Sequence, residues 1–320
     1  MSDEPWRPTA RSAILEERAA LFARVRAFFA ARGVLEVDTP VVVNHPVSDV
    51  HIQSARVELA GGPILFLHTS PEYAMKRLLA AGSGDIFQIC HVVRAFERSR
   101  LHNSEFTLLE WYRTGYVLQD LMAELEALLC EVAAQVAFGK TQHLSYREAF
   151  LSELALDPFA ASLRELAQAA EAAGYVARIT EDSRDDLLDF LMACRVGPNL
   201  GRHGLTFVYA YPASQAALAR LDPHDARTAL RFELYRHGVE LANGYHELAC
   251  SEKQRKRFLA DNAERLRRGL PTFEVDEHLL ASLKELPDCA GVALGLDRVL
   301  MLASGAAHID EVIAFPTERA

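Results

Sequence analysis

HNSEFTLLEWY, residues 102–112, is an apolar β pattern that carries a glutamate and a tyrosine two positions apart near its end. Side chains of an extended strand alternate between faces, so Phe106, Leu108, Glu110 and Tyr112 share one side. Glu105, Thr107, Leu109 and Trp111 share the other. Neither side is a plain core face. The first lines up an aromatic ring, a carboxylate and a phenol, a row suited to a pocket wall. Upstream, DIFQICHVVRAF (85–96) reads as a second strand, and the charged ERSR between the two predicts an antiparallel hairpin with a functional loop.

Residues 12–32 place Leu15, Leu21, Phe22, Val25, Phe28 and Phe29 at helical spacing, with Gly33 as the stop. VLEVDTPVVV (34–43) reads as a strand in which Pro40 forces an end, an edge or a bend. HIQSARVELA, the AGGP turn and ILFLHT read as a β excursion and return. Pro71 opens the helix PEYAMKRLLAA, with Glu72 at its positive end. An amphipathic helix is expected over 117–137. From about 141 to 204 the pattern becomes short helices separated by Pro, Gly and polar turns, a helical insertion. TFVYAYP returns to strand, FELYRHGVELANG reads as two strands around His237 and Gly238, and a basic helix covers 251–268. A helix near 276–285, the strand CAGVALG and the helix LDRVLMLASG close the chain. These elements predict an α+β fold, a largely antiparallel sheet flanked by helices. Residues 1–11 form an arm and 12–320 one domain carrying the insertion.

The 320 residues hold 34 basic and 44 acidic side chains, a net charge of −10, which argues against broad binding to a phosphate backbone. It fits a basic macromolecular partner steered by long-range attraction. Five scattered cysteines without a CxxC pair fit a reducing compartment, the cytoplasm, and argue against a cysteine zinc site. No apolar stretch approaches the ~20 residues of a membrane helix, and the first residues, MSDEPWRPTARS, do not read as a secretion signal.

Carboxylates in β hairpins are the strongest chemical feature. Glu233, Glu240, Asn243 and Glu247 cluster in RFELYRHGVELANGYHEL, where Gly244 would allow a bulge that changes which sides Asn243 and Glu247 face. Such acids hold Mg²⁺ with phosphates, clasp an ammonium group, or simply face water at a hairpin edge. Arg94 and Arg298 suit phosphate, or pairing with an aspartate at a helix or loop end. His102 and Asn103 suit phosphate or a turn cap, and Phe106 suits a base or the core. The helix 251–268, with seven basic and three acidic residues, suits a macromolecule or solvent. GVALGLDR lacks GK[ST] and GxGxxG, HELAC lacks a second zinc histidine, GLPTFEV reads as a turn, and no GxSxG is present.

From about residue 12 to 320 the chain resembles the catalytic domain of class II aminoacyl-tRNA synthetases. Within them it is most similar to the lysyl branch and to the stand-alone paralogues that attach (R)-β-lysine to elongation factor P. The resemblance runs through VLEVDTP, TSPEYAMKRLL, RLHNSEFTLLEWY, FVYAYPASQAALA, FELYRHGVELANGYHEL and GVALGLDRVLMLA. It implies a six- to seven-stranded antiparallel sheet, dimerisation through the first motif, and ATP-dependent formation of an aminoacyl-adenylate. It places Arg94 on the ATP α-phosphate with Glu97 and His102 nearby, Phe106 beneath adenine and Arg298 beside it. Glu233 and Glu240 become the magnesium or ATP-side acids, and Glu72 lies near the reacting end of the amino acid. Glu110, Tyr112, Asn243 and Glu247 surround its distal ammonium.

Elongation factor P, modified with (R)-β-lysine or less well with lysine, is the acceptor implied. The chain starts almost at the first motif, leaving no room for an anticodon-binding barrel, and its acidity suits a large RNA poorly, so tRNA is not the expected acceptor. Ala293 stands where lysyl synthetases carry glycine and the β-lysine ligases alanine, a methyl worth ~1–3 kcal/mol in discrimination. The second motif departs from its subfamily. Arginine, asparagine and two acids are replaced by Arg94, Ala95, Phe96 and Glu97, with His91, Val93 and Ser104 also atypical. Adenylate transfer to another protein, a carrier or tRNA, or a binding protein without turnover, therefore stay open.

Overall fold

The computed structural model describes residue 4 and residues 6–95, 97–176 and 183–320. Phe96 of the altered motif, part of the expected N-terminal arm and residues 177–182 of the expected insertion lie outside the described residues. Two compact units result, Met1–Val136 with Leu248–Ala320, and Ala137–Glu247.

The first unit opens with α1 (Ser12–Ala30), which buries Leu21, Val25, Phe28 and Phe29 on one face. Gly33 ends it at φ 69°, a left-handed turn that lets the Val34 N–H reach the Phe29 carbonyl. The single strand expected over 34–43 is instead two short ones, β1 (Leu35–Glu36) and β2 (Val42–Val43), separated by the Asp38–Pro40 stretch. Proline has no N–H to give a ladder and restrains its predecessor, so the break falls there. β3 (Arg56–Glu58) and β4 (Ile64–Leu67) make the anticipated excursion and return, and β2 joins them in a three-stranded sheet, β2-β4-β3. After α2 (Glu72–Ala80) come β5 (Ile86–Val93) and β6 (Glu105–Thr114), paired antiparallel from Ile86↔Tyr112 to Val93↔Glu105 without a register shift. α3 (Leu118–Val132) ends five residues before the expected limit.

The second unit begins with a strand that sequence pattern did not reveal, β7 (Gln142–Ser145). α4 (Tyr146–Leu154), α5 (Leu163–Ala172) and α6 (Arg184–Leu191) follow. Each starts on a serine (Ser145, Ser162, Ser183) that exchanges hydrogen bonds with an acid three residues on (Glu148, Glu165, Asp186). The helices bury Phe150, Leu166, Leu187 and Leu191 around Tyr146 and Tyr211. Among the described residues, the expected helical insertion thus holds three α-helices and two short helical turns, Met192–Val196 and Gly197–Asn199, preceded by a strand. β8 (Thr206–Pro212), β9 (Thr228–Arg236) and β10 (Val239–His246) complete the order β10-β9-β8-β7. His237 (φ 52°) and Gly238 (φ 72°) form the two-residue hairpin with both central residues left-handed.

The chain then returns to the first unit with α7 (Ser251–Arg267), α8 (Glu277–Ser282), β11 (Cys289–Gly295) and α9 (Leu296–Ser304). β11 lies antiparallel beside β6, giving β1-β5-β6-β11. The sheet pairings are largely antiparallel, as expected, while β1–β5 and β7–β8 run parallel. Much of the basic character of α7 is used internally. Arg255 pairs with Glu277, Arg267 and Arg268 pair with Glu264, and Arg265 is fully buried, donating to the Pro271 and Asp49 carbonyls.

Candidate functional site

Uninterrupted pairing through β5, β6 and β11 keeps Phe106, Leu108, Glu110 and Tyr112 on one face. Residues directly opposite on neighbouring strands share a face. Gln88, Glu110 and Ala293 therefore form one row across the three strands, with the Ala293 methyl beside the Glu110 side chain.

Glu110 is 2% exposed. Tyr112 donates its hydroxyl to Glu110 Oε1 at 2.7 Å, and Ser70 donates to Oε2 at 2.9 Å. Ser70 Oγ also accepts the Glu72 N–H, tying the start of α2 to this carboxylate. Lys76, one turn along α2 and itself 1% exposed, donates to Glu72 Oε1 at 2.6 Å. Burial, followed by the charge of Glu72, pushes the Glu110 pKa up to about 7; Tyr112, Ser70 and Lys76 act the other way.

At the other end of β6, Arg94 stands with its guanidinium carbon 5.1 Å from the Phe106 ring centroid. Its Nε is buried and meets no acceptor among the described residues. The 97–103 loop closes on itself through paired Ser99 and His102 backbone bonds, and Glu97 is tied to it by its carbonyl, which accepts from Ser104 Oγ. Arg298 donates to His102 Nε2 at 2.8 Å, so Nδ1 carries the proton and faces Ser99 Oγ at 2.7 Å. Burial, then Arg298 and Arg94, lower the His102 pKa to about 4, keeping the ring neutral at neutral pH. Asp297, next to Arg298 in sequence, accepts from Arg18 at 2.5 Å and from the Thr107 N–H.

The same loop is laced to the C-terminal tail. Arg98 bridges Asp310 (2.6 Å) and Glu318 (2.5 Å), the Ile309 N–H reaches the Arg100 carbonyl, and Asn103 Oδ1 accepts from Thr317.

In the second unit the register shift lies between Glu240 and Ala242 rather than at the expected Gly244, which pairs regularly with Phe232. One extra residue brings Glu240 and Asn243, three apart in sequence, onto one face opposite Tyr235 and Glu233. Asn243 Oδ1 is buried without a donor among the described residues, and Glu247 is 1% exposed. Glu233 accepts from Tyr211 (2.6 Å), Tyr235 (2.5 Å) and Arg231 (2.5 Å), which occupy three of the four lone-pair directions of a carboxylate. Burial works against the Arg231 charge, yet Glu233 overrides it and holds the guanidinium above its ordinary pKa. Replacing Glu233 with alanine leaves that arginine and two phenols unmatched, so stability is expected to fall by ~3–5 kcal/mol, read as a drop in the urea midpoint. Among the described residues no group of three or more His, Cys, Asp or Glu side chains forms a metal cage.

Ser70, Lys76, Gln88 and Asp297 are additions to the residues anticipated from sequence. The i,i+4 spacing of Glu72 and Lys76 was the available signal for one of them, and strand alternation for Gln88.

The chain matches the family of class II tRNA synthetases (D, K and N) over residues 5–319. It is 48% identical to an elongation factor P–(R)-β-lysine ligase of Vibrio cholerae, with 100% of each chain covered. It is 47% identical to proteins of the same name from Vibrio atlanticus and Yersinia enterocolitica, each over 98% of both chains. Strand register, buried carboxylate and full-length similarity agree, and the chain belongs to the class II tRNA synthetase family (D, K and N).

Proposed function

We infer that this chain is an ATP-dependent ligase that activates (R)-β-lysine, or lysine less well, and transfers it to a lysine side chain of elongation factor P. The observation that carries this reading is the similarity at 47–48% identity over essentially the whole length of relatives bearing that activity in their names. The buried Glu110, with its pKa raised to about 7 and a tyrosine and a serine already on its oxygens, supports it as a receiver for a cationic amine.

In the reaction the amino-acid carboxylate attacks the ATP α-phosphorus in line, pyrophosphate leaves, and an aminoacyl-adenylate forms. The acceptor amine then attacks its carbonyl carbon and AMP leaves. The protein positions groups and balances charge, without a protein nucleophile. Arg94 is assigned to the α-phosphate, Phe106 and Arg298 to adenine, and His102 and Glu97 to the nucleotide loop. Glu72 is assigned to the reacting end and Glu110 with Tyr112 to the distal ammonium. The roles expected of Glu233, Glu240, Asn243, Glu247 and Ala293 belong to the same proposal.

Mg²⁺ would arrive with the nucleotide and neutralise phosphate charge, held by one or two carboxylates plus phosphates. Glu240 fits that mode, and Glu233 only through its single open lone-pair direction. A homodimer and a cytoplasmic location complete the reading, and no helix among the described residues is long and apolar enough to cross a membrane.

Incubation with ATP, (R)-β-lysine and elongation factor P, followed by intact-mass measurement, should show one added residue on elongation factor P and none on a tRNA control. Charged tRNA with unmodified elongation factor P would overturn the acceptor; no amino-acid-dependent pyrophosphate exchange would overturn the enzyme. The laced loop makes a further prediction. Arg98→Met should raise the ATP KM on the order of fivefold, the scale of a partly exposed ion-pair network, with the amino-acid KM unchanged.

A further inference from the structure

A buried polar atom beside Glu110 has no counterpart among the described residues. Gln88 is 1% exposed and stands directly opposite Glu110 across β5 and β6, so it shares that face and that row. The Gln88 Oε1 is buried and meets no donor among the described residues. Buried acceptors in folded proteins are almost always satisfied, and an orphan marks a place that something else completes.

The chemistry around it narrows what that is. A buried ammonium carries three N–H donors and needs an acceptor for each. Glu110 offers charge, but Tyr112 already sits on one of its oxygens and Ser70 on the other. A third carboxylate beside Glu110 and Glu72 would add repulsion to a pair that already holds the Glu110 pKa high. A neutral amide oxygen supplies the acceptor without the charge.

We propose that Gln88 is a substrate-binding residue whose Oε1 accepts a hydrogen bond from the distal ammonium of the diamino acid held at Glu110. The proposal rests on the reading of Glu110 as the amine receiver and deepens it. It also assigns specificity: an analogue lacking the distal amine leaves Oε1 and the Glu110 carboxylate unmet, and is rejected by both.

Gln88→Met keeps the length of the side chain and deletes its polar atoms. In (R)-β-lysine-dependent pyrophosphate exchange the amino-acid KM should rise about tenfold, with the ATP KM within about twofold. Removing a buried unmatched acceptor should leave the ligand-free Tm unchanged or higher, while the Tm rise produced by adding (R)-β-lysine alone shrinks. Gln88→Leu should behave alike. An unchanged amino-acid KM, the result expected if Oε1 merely holds a water, overturns the proposal. A lower ligand-free Tm with both KM values moving together identifies a structural residue and overturns it as well. Absence of exchange and of any Tm rise in the unaltered protein overturns the functional reading and this inference with it.

Discussion

Glu110→Gln is expected to raise the amino-acid KM about 100-fold or more while leaving the ATP KM within about twofold, because a buried charge pair that loses one partner forfeits ~3–5 kcal/mol. The fold should survive, since the glutamine oxygen still accepts from one of the two hydroxyls, Tyr112 or Ser70, and its NH2 can donate to the oxygen of the other once that hydroxyl rotates. The pH dependence carries the sharper signature. In the ligand-free protein Glu110 has a pKa of about 7, above its ordinary value, because burial and Glu72 oppose its charge. A group raised in this way binds its proton more tightly folded than unfolded. Its contribution to stability therefore decreases as pH rises from the ordinary carboxylate range towards 7, and levels off above. An ammonium ligand has the opposite demand, since it pairs with the ionised form. Amino-acid affinity should thus improve as pH rises through about 7, while the ATP KM stays flat over that window. In Glu110→Gln the improvement should vanish. A slope that persists in the variant would assign the titration to another group.

The part of this site that could be read from sequence is the part governed by short-range geometry. The row from Phe106 to Tyr112 follows from strand alternation alone, and the unbroken register of β5, β6 and β11 preserves it. The His237–Gly238 turn follows from the demand for two left-handed residues. Sequence pattern failed where distant partners decide. QHLS carries no apolar alternation, and β7 is a strand because β8, some sixty residues on, offers it a parallel edge, Gln142↔Thr206 to Ser145↔Tyr209. A glycine pointed to a bulge at 244, but the shift lies at 240–242, where it turns Glu240 and Asn243 to one face. Glu233 illustrates the limit for chemistry. Its strand position was legible, but the phenols and guanidinium on its oxygens come from Tyr211, Tyr235 and Arg231, and Tyr211 lies on a neighbouring strand. Lys76, by contrast, was within reach, since a glutamate and a lysine four apart on a helix are neighbours.

Arg94 should carry the largest kinetic effect, and for a reason visible before any ligand binds. A guanidinium whose Nε is buried without an acceptor, held over the Phe106 ring by a short strand end, carries a cost in the resting fold. With Arg94 assigned to the α-phosphate, that cost would be offset when the phosphate reaches it, most of all as charge builds on the α-phosphate oxygens during in-line attack. Interactions stronger in the transition state than in the ground state act on kcat rather than on binding alone. Arg94→Ala is therefore expected to lower kcat for adenylate formation about 10²- to 10³-fold, the scale found for a preorganised donor aimed at developing charge. Arg94→Lys should recover little of it, because an ammonium lacks the planar fork that spans two phosphate oxygens. The ligand-free Tm of Arg94→Ala should be unchanged or higher, since the unmatched Nε is gone. Single-turnover pyrophosphate release, measured beside thermal unfolding, separates the two possibilities. A loss of activity that tracks a loss of stability would make Arg94 a structural residue, whereas slow chemistry in a protein as stable as the original places it at the reacting phosphate.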